Sequence, residues 1–180
     1  TATPEPCLGQ PGRIEEKEET FSTSGTRFHF RVYFPPCFDQ QQDIRYPVLY
    51  MIHGQTFSDD QWQRLGIGEA ADALINEKKA APFLIVMPRE PDTFSDIYQT
   101  SFGVDVTDGL VPWIDAAYPT CAERACRAIG GLSRGGAWAL HLGFTRWDLF
   151  SAVGLHSTPP FNPDPGLFPT WLESIPAGQV

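Results

Sequence analysis

Between Arg27 and Phe34 apolar and polar side chains alternate. Phe28, Phe30, Val32 and Phe34 fall on one face; Arg27, His29, Arg31 and Tyr33 fall on the other. A period of two predicts an antiparallel strand with one wetter face. Arg13 to Thr20 is its candidate partner across the turn residues Ser22-Thr23-Ser24-Gly25, and Pro35-Pro36 stops the second strand. Beyond Tyr46 the pattern changes. Pro47–Ile52, Pro82–Met87, Arg127–Leu132 and Ser151–Leu155 are continuous apolar runs, as in strands buried on both faces. Helical spacing fits Ile67 to Lys79, Val104 to Tyr118 and Gly135 to Phe144. Buried strands alternating with helices predict βαβ units and a mostly parallel sheet with helices on both faces.

No internal repeat, linker or low-complexity tract divides the chain. The expectation is one domain over residues 1–180, with an irregular lead-in over 1–12. Residues 159–180 read as a proline-rich connection with a short helix around Trp171.

Composition narrows the function. The chain has 13 basic and 22 acidic residues, a net charge of -9, so a nucleic-acid partner is not expected. Seventeen prolines and 16 glycines argue against a helical bundle. No apolar run reaches the roughly 18 residues of a membrane span.

The chemistry centres on Gly131-Leu132-Ser133-Arg134-Gly135, a Gly-x-Ser-x-Gly motif between a buried strand and a helix. A serine on such a tight turn needs small residues two positions away on either side, where strand and helix crowd together. Its hydroxyl then stands at the carboxyl end of the sheet, where open α/β folds bind ligands. The helix N-terminus behind it favours developing negative charge. A nucleophile-elbow enzyme also needs two backbone N–H groups for the oxyanion. Arg134 follows the serine and supplies one. His53-Gly54-Gln55 follows the third strand, and Gln55 supplies the other. His53 is read as orienting this loop, not as a catalytic base.

Four ordered blocks carry a resemblance: Tyr46-Pro-Val-Leu-Tyr-Met-Ile-His-Gly, Pro82-Phe-Leu-Ile-Val-Met-Pro, Val111-Pro-Trp-Ile-Asp-Ala-Ala-Tyr and Ala128-Ile-Gly-Gly-Leu-Ser-Arg-Gly-Gly. Together they resemble the putative-esterase family of α/β-hydrolases, which includes esterase D, feruloyl and acetyl-xylan esterases, enterochelin esterases and mycolyltransferases. The resemblance implies a three-layer α/β-hydrolase fold, here preceded by an antiparallel hairpin. It implies a serine hydrolase of carboxylic esters, on small, carbohydrate-linked or phenolic acyl substrates, without metal or organic cofactor. By position it assigns the nucleophile to Ser133 and the oxyanion donors to Gln55 and Arg134.

One departure stands out. In this fold the acid and the histidine follow the nucleophile in chain order, but the residues after Ser133 offer only Asp148, His156, Asp164 and Glu173. His156, after the last strand, is early for the base and is expected to line the pocket. Trp62, in the segment after the oxyanion loop, is expected to edge the acyl pocket. The last third of the fold is read as missing from this chain, supplied by a complementing C-terminal segment or a second chain. Two rival readings stay open: acyl transfer with the same residues, and a non-catalytic binding module that kept the fold.

The four cysteines allow two bridges. The turn at Ser22–Gly25 lies midway between Cys7 and Cys37, so a hairpin there brings the two together. Cys121 and Cys126 lie five apart just before an apolar strand. The alternative is four free thiols. Two disulfides would place the protein in an oxidising, extracytoplasmic compartment.

Overall fold

The computed structural model describes residues 9–41 and 43–178. Six strands form one sheet: β1 (Arg13–Thr20), β2 (Arg27–Phe34), β3 (Val48–Ile52), β4 (Leu84–Pro88), β5 (Arg127–Leu132) and β6 (Ala152–His156), in the order β1-β2-β4-β3-β5-β6. β1 and β2 pair antiparallel, and β2 pairs antiparallel with β4. β4, β3, β5 and β6 run parallel. The alternating hairpin and the continuous apolar runs therefore fold as their patterns require. β4 is buried at all five of its positions, because sheet neighbours and helix layers enclose it.

Helices α1 (Gln61–Arg64) and α2 (Ile67–Asn76) follow β3, and α5 (Arg134–Thr145) follows β5. Between β4 and β5 run α3 (Phe102–Val104), a π-helical stretch over Asp105–Leu110 and α4 (Val111–Ala117). Two apolar layers result. The larger joins Phe28, Phe30, Val32, Tyr50, Val86, Leu110, Ile114 and Trp138. The smaller joins Tyr33, Met51, Ala71, Ile85 and Met87 on the opposite face. Side chains alternate across each strand, so one sheet feeds both layers.

Three sequence expectations need correction. The helix expected over 104–118 begins at Phe102 and widens to a π-helix at Asp105–Leu110. There the buried Asp105 carboxylate accepts Thr23 Oγ1 at 2.5 Å and Ser101 Oγ at 2.7 Å, tying the helix to the hairpin turn. The short helix expected around Trp171 in the connecting segment is present but longer, running over Asp164–Ser174 as α6, and it sets Phe168 and Trp171 against Phe144 of α5. Ser151–Leu155 was expected as a buried strand. The strand is Ala152–His156, and all five residues are exposed because β6 pairs only with β5 and forms the sheet edge.

Cys121 and Cys126 form a disulfide with Cα atoms 5.8 Å apart. The expected Cys7–Cys37 pairing rests on Cys7, which lies outside the described residues.

Candidate active site

Ser133 ends the β5-to-α5 turn with φ 54° and ψ -115°, a conformation that L-residues seldom adopt. Such strain costs on the order of 1–3 kcal/mol and persists only where the surroundings enforce it. The flanking glycines explain how it is tolerated. A Cβ at Gly131 would come within 2.2 Å of the Gly135 carbonyl carbon. A Cβ at Gly135 would come within 2.2 Å of the Ile52 carbonyl oxygen. Only glycine lets α5 fold back this closely on β3 and β5. The turn is also pinned from the sheet edge, where Ser133 N–H donates to the His156 carbonyl at 2.8 Å.

The hydroxyl of Ser133 makes no hydrogen bond among the described residues. Neither do the backbone N–H groups of Gln55 and Arg134. Arg134 opens α5, where the first N–H groups lack intrahelical acceptors. The preceding N–H is different: Gly54 donates to Oε1 of the buried Gln61 at 2.7 Å. Gln55 N–H, the next donor along the loop, is uncommitted among the described residues.

His53 is buried and fully committed. Its Nε2 accepts Glu90 N–H at 2.9 Å, so the ring proton sits on Nδ1 and is donated to the Gly54 carbonyl at 2.9 Å. Burial holds its pKa below the ordinary value, against smaller opposing contributions from the Gly54 bond and nearby carboxylates. The expected orienting role fits this geometry.

None of the other histidine rings hydrogen-bonds Ser133 Oγ among the described residues. His29 lies 3.1 Å from Glu18, and His141 lies 3.1 Å from the buried Asp164. The exposed His156 ring meets Trp62 edge-to-face, with centroids 5.6 Å apart. Trp62 lies in α1, and its indole N–H donates to the Ile52 carbonyl at 3.1 Å. His156 and Trp62 thus form a pair beside the serine turn, and neither hydrogen-bonds the serine hydroxyl.

Sequence reasoning missed Glu90. It lies two residues past β4, is 3% exposed, and receives Arg134 Nε at 2.8 Å, Arg134 Nη2 at 2.5 Å and Trp138 Nε1 at 2.9 Å. The available signal was an acid just past a buried strand and an arginine just after the serine. A cavity of about 510 Å³ lies along this segment, lined by Arg27, His29, Arg89, Glu90, Thr100 and Phe102.

The strand order and the strained serine between β5 and α5 define an α/β-hydrolase fold. A solved ferulic acid esterase superposes with TM-score 0.76 at 26% identity, over 82% of this chain and 59% of its own. A ferulic acid esterase from Anaeromyces mucronatus shares the fold at TM-score 0.74 and 20% identity, over 88% of this chain and 63% of its own. In sequence the chain is 33% identical over 163 residues to an endo-1,4-beta-xylanase/feruloyl esterase of Xylanibacter ruminicola, covering 85% of this chain and 22% of that protein. The family described as "Putative esterase" matches residues 22–177, and the chain belongs to it. It spans less than two thirds of each of these three proteins.

Proposed function

We propose that residues 1–180 form one domain carrying the nucleophile and oxyanion site of a carboxylic ester hydrolase. The observation that carries this is Ser133, a serine at φ 54° at the start of α5, with the N–H groups of Gln55 and Arg134 free of acceptors among the described residues. Ser133 Oγ attacks the ester carbonyl carbon and gives its proton to a base. The tetrahedral oxyanion accepts hydrogen bonds from Gln55 and Arg134 N–H. The C–O bond to the alcohol then breaks, and the alcohol leaves with that proton. Water cleaves the acyl-enzyme, releasing the acid and restoring the hydroxyl. Family membership and the esterase names of the relatives support ester hydrolysis. Their feruloyl and xylanase names favour phenolic acyl groups on carbohydrate as the substrate class.

The proton acceptor is proposed to lie outside residues 1–180. All four histidines have other neighbours, and none reaches Ser133 Oγ by a hydrogen bond. A complementing segment, from the same or a second chain, would cover the exposed edge strand β6. The Cys121–Cys126 bridge supports an extracytoplasmic site of action.

The test is covalent trapping. The full-length protein is treated with an alkyl fluorophosphonate and digested, and the modified peptide is sequenced. Label on Ser133, absent in Ser133→Ala, is the expected result. Ester hydrolysis blocked by label on another residue would refute the assignment.

A further inference from the structure

The two backbone donors proposed for the oxyanion lie on segments far apart in the chain, and one short segment after β4 touches both. On one side, Glu90 N–H holds His53 Nε2 at 2.9 Å, and His53 Nδ1–H holds the Gly54 carbonyl at 2.9 Å. Thr93 Oγ1 donates to the carbonyl of Gln55 itself. On the other side, the Glu90 carboxylate receives the Arg134 guanidinium through Nε and Nη2, at 2.8 and 2.5 Å. Arg134 Nη2 also reaches the Ser95 carbonyl at 2.9 Å, and the Arg134 guanidinium lies 5.4 Å from the Phe161 ring centre.

We propose that Glu90 is a positioning residue that sets the spacing of the two oxyanion donors, Gln55 N–H and Arg134 N–H; this rests on the function proposed above. Two physical arguments favour positioning over stability alone. A buried ion pair contributes little net stability compared with an apolar pair of similar size, but its geometry is demanding. A bidentate carboxylate–guanidinium pair fixes both direction and distance. Its opposite charges also offset each other, so Glu90 can stand near the site without strongly repelling a developing oxyanion.

The experiment uses the full-length protein, with active sites counted by fluorophosphonate labelling of Ser133. Glu90→Gln keeps the shape of the side chain and removes its charge. The double variant Glu90→Gln/Arg134→Gln leaves no unpaired buried charge, and it decides the question if the single variant does not fold. Measured are kcat and KM for an activated ester, and the affinities of an arylboronic acid, a tetrahedral mimic, and of the product carboxylate. Displacements near 1 Å in a catalytic site cost about 100-fold. The expected result is a kcat per labelled site reduced on that order in both variants, with KM little changed. Boronate affinity falls in parallel while product affinity holds. A merely structural role would lower the number of labelled sites and leave kcat per site and the boronate affinity intact; that outcome overturns the inference and leaves the serine mechanism standing. Wild-type turnover that survives complete labelling of Ser133 overturns both.

Discussion

The backbone N–H of Glu90 donates to Nε2 of His53 at 2.9 Å. An amide can only donate here, so the imidazole is neutral, and its Nδ1 proton is committed to Gly54. The histidine read from sequence as orienting the oxyanion loop is a strut between the β4 exit and the β3 exit.

That strut has a pH signature. Burial holds the folded His53 pKa below 6.5, its value in an exposed chain. Below 6.5 the unfolded chain therefore binds a proton that the folded chain does not. Folding stability contributed by neutral His53 is complete above that value and is lost as pH falls through it towards the depressed folded pKa. In urea unfolding, the stability difference between wild type and His53→Asn should shrink on acidification through this window. A difference that is flat with pH would contradict the assigned tautomer.

Gly135 tests the elbow. A methyl group there would meet backbone oxygens of Ile52 and His53 at 2.2 and 2.4 Å, and backbone cannot swing aside. Gly135→Ala should cost at least about 1–3 kcal/mol. Gly166, in α6, has nothing within 4 Å of its built Cβ. Gly166→Ala should be neutral or stabilising, by up to about 1 kcal/mol from helix propensity. Thermal unfolding of the two variants should separate them clearly; similar melting temperatures would refute the crowding argument.

The cysteines give a redox prediction. Closing the short Cys121–Cys126 loop should contribute about 2 kcal/mol by chain entropy. With Cys7 proposed to pair with Cys37, the denatured, unreduced protein should show no titratable thiol. Four thiols would remove both bridges and the extracytoplasmic assignment with them.

Much of the fold was legible because its signals are local. The strands Arg13–Thr20, Arg27–Phe34 and Arg127–Leu132 have the boundaries that their patterns predict. The serine motif was legible for the same reason, since its glycines announce a tight approach. What failed was non-local. Ala152–Leu155 carries the apolar run of an interior strand, but whether a strand lies inside or at an edge depends on the neighbours it finds. Glu90 and Arg134 are 44 residues apart, and nothing in either segment specifies that they meet. The hydrogen bond from Thr23 of the hairpin turn to Asp105, at the start of the π-helical stretch, likewise joins residues far apart in the chain.

Placement of the histidines leads to a prediction about residues 1–180 expressed alone. Without a base at Ser133 Oγ, the hydroxyl is a weak nucleophile, and only the oxyanion donors and substrate positioning remain. Ester turnover should be at trace level and unaffected by His156→Ala. Rates on the order of 1 s⁻¹, abolished by His156→Ala, would make His156 the base.

The most direct measurement is the turnover of the full-length protein against its Ser133→Ala variant on a small activated ester. Removing the nucleophile should lower kcat by roughly 10³-fold or more, with the variant still folded by circular dichroism. Unchanged kcat in Ser133→Ala would place the chemistry elsewhere in the molecule and contradict the account.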